Sequence, residues 1–407
     1  MEKKKISILG AGGAGACAAL ELSQRGYSVD LYEEGPIPIR KASYVNEGKI
    51  HVGFIYAMDR DLHTAKQMIL GALHFISNLK RWIDIKPEDV ISTPFNYCVH
   101  RGSLMSPTEL ASHYQECIKI FNTYKAVYKK SYLDLFDSIE ANLLTKKEAD
   151  KIVNSEFIEA VFSTSEYAVE PRAIAKQLTE ALYANPSINL ILNTKVTSVE
   201  RSGSGLTVKG NSKGVQIEEK YPIVINATWN GLLEIDKSMG VELPKAWSYR
   251  YKYGNKILIP ITPDNLPSCT MVQGPFGDTV NFKEKGAFIS WYPIGRAGWS
   301  EECRPPEWDS MFSDTERHNI FNSSFKELTK RVPALGNIAF NPNNVSPVGG
   351  VIYALGNTDV DKHDSKLHTR SDVGIRSYGN YHSLHTGKYT LIPYWAVKIA
   401  DRIEGLS

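Results

Sequence analysis

Cysteine is scarce in this 407-residue chain. There are five, Cys17, Cys98, Cys117, Cys269 and Cys303, an odd number with no C-x-x-C spacing. This argues against a disulfide framework or a thiolate zinc site and points to reduced thiols. An excess of one charge is also lacking: 47 Lys and Arg against 45 Asp and Glu leave a net +2. Neither nucleic acid nor an anionic membrane is therefore expected as a partner. No apolar run is long enough to span a bilayer, and Met1-Glu-Lys-Lys-Lys5 leads into a run too short for a signal h-region. A soluble, cytoplasmic protein with no integral membrane segment is expected. Internal repeats, low-complexity tracts and long charge runs are absent. Four of the ten histidines (His363, His368, His382, His385) crowd the tail, but their spacing fits no standard ligand set and no Cys or clustered carboxylate completes one, so no metal is expected.

The chain does have an informative start. Residues 6–9 form a short apolar run that reads as a buried parallel strand, followed by Gly10-Ala-Gly12-Gly13-Ala14-Gly15. Residues 14–25 are Ala/Leu-rich and read as a helix ended by Gly26. Residues 28–32 then read as a second strand, with Glu33 at its carboxyl end. Each part has a physical job in a dinucleotide site. Gly10 allows the tight turn, Gly12 lets a pyrophosphate approach the backbone, and Gly15 lets helix and strand pack closely. The helix N-terminus around Gly13 and Ala14 offers free N–H groups and a positive dipole end. Glu33 is placed to bind both hydroxyls of an adenosine ribose, and its charge disfavours a 2′-phosphate, so NADP is a poor candidate.

A length of 407 residues makes two domains the natural expectation. After Glu33 comes a loop carrying Arg40, Ser43, Asn46, Gly48 and His51. It reads either as a surface loop or as a second wall of the dinucleotide site. A plain NAD-binding unit would go directly into another helix–strand repeat, so this insertion leans toward FAD, as does the lack of a second G-x-G-x-x-G. Apolar spacing predicts helices over 62–82, 107–121 (with Ser106 and Glu109 as a capping box), 145–153, 170–183, 314–331 and 394–403. Strands are expected over 95–100, 188–192, 195–200, 206–209, 215–220, 223–226, 249–261, 270–273, 287–292 and 348–355. The fold class is α/β (α+β), a Rossmann-like domain with a mixed or antiparallel-sheet second domain. The expected division puts 1–86, 150–235 and 346–407 in a discontinuous cofactor domain, and 87–149 with 236–345 in a substrate domain.

In the tail, Gly387-Lys388-Tyr389-Thr390 opens the last helix. Backbone N–H groups, a cation and a hydroxyl meet there at a positive helix end. The loop suits an anion or the electron-rich edge of a reduced flavin, or is simply an ordinary helix cap.

Taken in order, five features carry a resemblance: the glycine fingerprint with Glu33, the loop Ala42-Ser-Tyr-Val-Asn46-Glu-Gly-Lys-Ile-His51, the Glu170-Pro171 helix, Val224-Ile-Asn-Ala-Thr-Trp229, and Gly387-Lys-Tyr-Thr390. Over essentially its whole length the chain resembles the FAD-dependent oxidoreductases of the D-amino acid oxidase, glycine oxidase and sarcosine oxidase superfamily. The last feature is similar to the glycerol-3-phosphate and 2-hydroxyacid dehydrogenases of that superfamily. The resemblance implies FAD extended across the Rossmann-like domain, with Gly10, Gly12, Gly15 and Glu33 on its ADP half. Ser43, Asn46 and Gly48 would line pyrophosphate and flavin, the Val196 backbone would meet the adenine, and Gly387, Lys388 and Thr390 would face the pyrimidine edge. Where the superfamily usually has Ala-x-Gly this chain has Ala227-Thr228-Trp229, so Trp229 is expected to crowd or stack near the cofactor. No Cys or His stands at a covalent-flavin position, so the FAD is expected to be non-covalent.

In this class the cofactor does the redox work and the protein binds and orients. The expected reaction is hydride removal from a carbon bearing an amine, by an oxidase acting on a small molecule. The alternative is a 2-hydroxyacid or polyol dehydrogenase passing electrons to another acceptor. A non-catalytic protein that kept the fold is a third possibility. Such sites use an Arg to clamp a carboxylate and a Tyr to hydrogen-bond it. The catalytic candidates are Tyr292, Arg370, Arg376 and His385, with Tyr249, Arg250 and Tyr251 on the strand opening the second domain.

Overall fold

The computed structural model describes residues 5–405; Met1 to Lys4 of the leading segment lie outside them. The first strand, β1 (Lys5–Leu9), pairs in parallel with β2 (Ser28–Tyr32) on one side and with Val224–Asn226 on the other. Between β1 and β2 runs α1 (Gly13–Gln24). Ile188–Ile191 extends the sheet in parallel beyond β2, and Tyr381–His385 beyond Val224–Asn226, while Gly374–Tyr378 closes the edge antiparallel. Chain order reverses about β1, and the crevice at the carboxyl ends of such strands is where a doubly wound sheet binds its ligand.

Helix α1 is buried nearly all round, through Gly15, Ala16, Cys17, Ala18, Ala19 and Leu22, because it sits between this sheet and the C-terminal helix Ile392–Ile403. Small residues permit that approach. A Cβ on Gly15 would stand 1.9 Å from the Gly10 carbonyl oxygen, so helix and strand can touch there only through glycine. Gly10 itself has φ +91°, a left-handed turn that an L side chain resists. Glu21 is the buried charged residue on α1. Its carboxylate accepts from Arg25, Arg81 and the Trp82 indole at 2.6–2.9 Å.

The larger sheet is mixed and has nine strands. Its longest pairing joins Trp247–Ile257 to Val345–Leu355 over the full length of both. Ile158–Thr164 pairs antiparallel with Phe95–His100, which runs parallel to Ser268–Val272. Residues 158–164 and 346–355, expected on the cofactor side, are therefore part of strands of the larger sheet. A three-stranded meander (Thr194–Ser202, Gly205–Ser212, Val215–Tyr221) flanks the smaller one.

Most expected helices form with small boundary shifts: His63–Leu79, Pro107–Tyr128, Pro171–Ala184, Asp314–Arg331 and Ile392–Ile403. The Ser106–Glu109 capping box is present in both directions, at 2.9 and 3.3 Å. The helix expected over 145–153 is a correction. Only Lys146–Ala149 forms one turn, after which tight turns carry the chain to Asn154, whose N–H donates to the Arg331 carbonyl instead of continuing a helix. Among the described residues no helix is long and apolar enough to cross a membrane, and no group of three or more His, Cys, Asp or Glu could hold a metal ion.

Candidate active site

One cavity of about 660 Å³ runs from the glycine-rich turn to the larger sheet, within the roughly 300–1,000 Å³ typical of ligand sites. Its first end is built by β1 and β2. Gly10, Gly12, Gly13 and Ala14 line it, and a Cβ on Gly12 would meet no atom within 4 Å. The space over Gly12 is thus open to a ligand, and it stays open because the residue has no side chain to fill it. Gly13 departs from expectation in one respect: its N–H already donates to the Ser43 hydroxyl at 3.1 Å.

Glu33 lines the same end. Its two carboxylate oxygens accept from the Ala11 and Gly35 amides at 3.0 and 2.8 Å. Each oxygen keeps lone-pair capacity for a sugar hydroxyl. Burial pushes this carboxyl above its usual range, with the two amides opposing. Val196 lines the cavity beside it. Arg304, from the loop after the Arg296–Ser300 strand, reaches across to Glu34 at 2.6 Å and Glu234 at 2.9 Å, tying the rim of this end together.

In the middle, Arg40, Ser43 and Asn46 line the cavity. The Arg40 guanidinium lies 4.9 Å from the centre of the Tyr44 ring. Asn46 is spent locally, donating to the Ala42 carbonyl and accepting from the Gly48 amide. Thr228 and Trp229 form the facing wall. Trp229 has φ +57°, and its indole N–H donates to the Val351 carbonyl at 2.8 Å, so the ring is pinned to the larger sheet. Gly387, Lys388 and Tyr389 also line this part. Enclosure pushes the Lys388 ammonium down to about 8, with Glu47 opposing.

Three expected cofactor residues stand behind the wall instead of lining it. Gly15 makes the helix–strand contact, and Gly48 packs against the Val169 carbonyl. The Thr390 hydroxyl donates to the Lys49 carbonyl and accepts from the His51 amide, at 3.1 and 3.0 Å. Thr390 therefore holds the segment that carries His51.

The far end brings together His51, Arg250, Tyr292 and Arg370. His51 Nδ1 lies 3.2 Å from Glu166 Oε1, and Glu166 also accepts from the Val52 amide and the Tyr97 hydroxyl. Burial holds the imidazole below its usual range, against the pull of Glu166. Arg250 Nη1 donates to the Tyr292 hydroxyl at 3.0 Å, and that hydroxyl donates to Asp359 at 2.6 Å. Burial pushes Tyr292 up to about 12, with Asp359 adding to the rise and Arg250 opposing it. Arg370 Nη1 donates to the carbonyls of Leu367 and Thr369. Between this end and the middle lies a charged floor. Lys49 pairs with Asp278, Lys252 stands 3.8 Å from the same carboxylate, and Glu47 faces Lys252, Lys388 and Lys49.

Two catalytic candidates lie elsewhere. Arg376 is exposed on the antiparallel edge strand, beside an equally exposed Ser377, and does not line the cavity. His385 is buried outside the lining, its ring 4.6 Å from Tyr353 and 5.8 Å from Trp229, and its Nε2 has no partner. Lys49, Glu166, Lys252 and Asp278 carry no local signal that marks them as site residues, and Arg250 is marked only by its place on the strand opening the second domain. The period-two alternation of Arg250, Lys252 and Gly254 on one face was the readable signal; all three line the cavity.

Comparison with known proteins bears on this geometry. Residues 5–264 match the family model DAO, described as FAD dependent oxidoreductase. The chain is 22% identical over 303 residues to the FAD-dependent monooxygenase FPY4 of Fusarium mangiferae, covering 74% of this chain and 68% of that protein. It is 24% identical over 210 residues to a glycerol 3-phosphate oxidase of Mycoplasma pneumoniae, and it spans about half (48%) of that relative's length. Among solved structures it superposes on glycine oxidase from Geobacillus kaustophilus with a TM-score of 0.69 at 15% identity, covering 100% of this chain and 96% of that one. On the FAD-bound L-alpha-glycerophosphate oxidase of Mycoplasma pneumoniae the TM-score is 0.67 at 18% identity, with 99% and 95% covered.

Proposed function

The chain belongs to the DAO family of FAD-dependent oxidoreductases, and from that premise we propose that it removes a hydride from a hydroxyl-bearing carbon of a small anionic substrate. The observation that carries this reading is His51. It lines the cavity, its Nδ1 faces the Glu166 carboxylate, and burial favours the neutral ring. Nδ1–H on Glu166 leaves the Nε2 lone pair free to accept a proton. A hydroxyl needs such a base as its carbon gives up hydride, whereas a neutral amine brings its own lone pair. The substrate's C–H pair leaves as hydride, its O–H proton passes to His51 Nε2, and the C=O bond forms. Bound FAD supplies the two-electron acceptor for that hydride. Arg250 and Arg370 anchor the anionic end, and the Tyr292 hydroxyl orients Arg250.

In this reading 1–86, 150–235 and 346–407 hold FAD non-covalently and 87–149 with 236–345 cover the substrate, the strands at 158–164 and 345–355 crossing into the larger sheet. Gly12, Gly13 and Glu33 take the ADP half, Ser43 and Arg40 the middle, and Lys388 the flavin end.

A second reading, oxidation at an amine-bearing carbon, draws on Arg370 and Tyr292, a cation and a hydroxyl at one end of the cavity such as an amino-acid carboxylate requires. The two part in an anaerobic screen of flavin bleaching. The hydroxyl reading expects bleaching by 2-hydroxyacids or polyol phosphates. It falls if only amino acids or N-methyl amines bleach the flavin. Oxygen uptake with peroxide release on admitting air would make the enzyme an oxidase.

A further inference from the structure

Arg250 and Arg370 are buried, with 3% and 7% of their surface exposed, and line the same end of the same cavity. Among the described residues neither has a carboxylate within 4 Å, and the Nε of each has no hydrogen-bond partner. Asp359, the acid nearest in the network, is already engaged by the Tyr292 hydroxyl, the Val360 amide and Arg296. The Tyr56 hydroxyl, lining the same cavity, is also buried without a partner.

A buried charge without a counter-ion is costly, and two guanidiniums beside one another also repel. The lysines cannot share their carboxylates with this end, because Glu47 and Asp278 already face Lys49, Lys252 and Lys388. One carboxylate of a substrate would neutralise one arginine and leave the other buried and unpaired. Two negative charges would neutralise both, with Nε and Nη donors and the Tyr56 hydroxyl left to hold the oxygens.

We propose that the substrate presents two negative charges to Arg250 and Arg370, as a phosphate monoester or a dicarboxylate, with the oxidised carbon toward His51. This rests on the reading of the cavity's far end as the substrate end.

The test uses the holoenzyme in two arms. In the first, binding of inorganic phosphate, malonate and acetate is measured by calorimetry, which needs no turnover. Phosphate or malonate should bind roughly 10- to 100-fold more tightly than acetate, the range of one further charge-assisted contact. Arg250→Met should erase that preference while the protein stays yellow. Preference for phosphate over malonate marks the monoester, and the reverse marks the dicarboxylate. Equal binding of acetate, or a preference that survives in Arg250→Met, overturns the proposal. In the second arm, glycerol 3-phosphate and malate are compared with lactate and glycerate for flavin reduction. Lower KM for the dianions supports the proposal, and equal or lower KM for the monoanions overturns it. Dianion preference in calorimetry with bleaching only by amines would sink the hydroxyl reading and leave the dianion proposal standing.

Discussion

His51 Nδ1 stands 3.2 Å from Glu166 Oε1, inside a pocket where burial keeps the imidazole below its usual range. A base must be unprotonated to act, so activity should hold at and above the ordinary imidazole range and fall only on the acid side of it. His51→Asn should lower kcat by about 10²–10⁴-fold, the usual worth of general acid–base catalysis. FAD content, read from the visible spectrum, should be unchanged. Glu166→Gln removes the opposing charge, and the acid limb should then move to lower pH. A pH profile of kcat/KM in wild type and both variants checks this. An unaltered kcat in His51→Asn would remove the base from the mechanism.

Gly12→Val should produce a folded, colourless protein. A Cβ at Gly12 touches no protein atom within 4 Å, so the substitution leaves the packing intact and fills only the space assigned to the pyrophosphate. Circular dichroism and the visible spectrum separate the two effects. Retention of full yellow colour would move the cofactor elsewhere.

Glu33→Ala should weaken FAD binding by about 1–3 kcal/mol, the range for a hydrogen bond to a charged group. Glu33 also holds the Ala11 and Gly35 amides, so part of any loss comes from loosening the turn. Glu33→Gln keeps one acceptor and should fall between the two. Fluorescence titration of apoprotein with FAD orders the three proteins.

The β1–α1–β2 unit was readable almost to the residue, because its signals are local: an apolar run, glycines at fixed spacing and a terminal acid. Glu33, Gly12 and Lys388 follow from such local patterns and all line the cavity. The far end was read less well. Glu166 meets His51 across 115 positions, and no spacing rule brings those two together. Arg376 and His385 sit in the right stretch of chain, but the first lies exposed on the edge strand and the second is buried outside the lining, against Tyr353 and Trp229. The single turn at Lys146–Ala149 shows the limit of apolar periodicity: the chain leaves the helix at Asp150 in tight turns, and by Asn154 its N–H is bonded to the Arg331 carbonyl.

Glu21 offers a test of stability against pH. It is fully buried on α1, and donors from Arg81, Arg25 and Trp82 hold its carboxyl below the usual range although burial works in the other direction. A carboxyl whose folded value is depressed stabilises above its unfolded value, about 4.3, and loses that stabilisation as pH falls through the folded value. Glu21→Gln should therefore cost about 1–3 kcal/mol near neutrality, less than a fully buried pair because Arg81 is half exposed. The gap between variant and wild type should narrow in acid. Urea melts at neutral pH and near pH 3, within the window below the unfolded value, measure both quantities, and a constant gap would mean the carboxylate's charge contributes nothing.

Trp229 occupies φ +57° at the position where the resembling superfamily usually carries glycine. A left-handed conformation costs a non-glycine residue roughly 1–2 kcal/mol. The indole offsets this by donating to Val351 at 2.8 Å and by edge contact with Tyr353. Removing the ring should destabilise the protein whichever small residue replaces it, but the backbone term separates two replacements. Trp229→Ala loses the ring and keeps the strained turn, whereas Trp229→Gly loses the ring and relieves the strain. The glycine variant should thus be the more stable of the two by about 1 kcal/mol, the reverse of the usual order of alanine over glycine. Denaturant melts of the pair, at fixed FAD, decide it. Alanine proving as stable as glycine would mean that the turn relaxes once the indole is gone, and that the hydrogen bond to Val351 is what imposes the left-handed conformation.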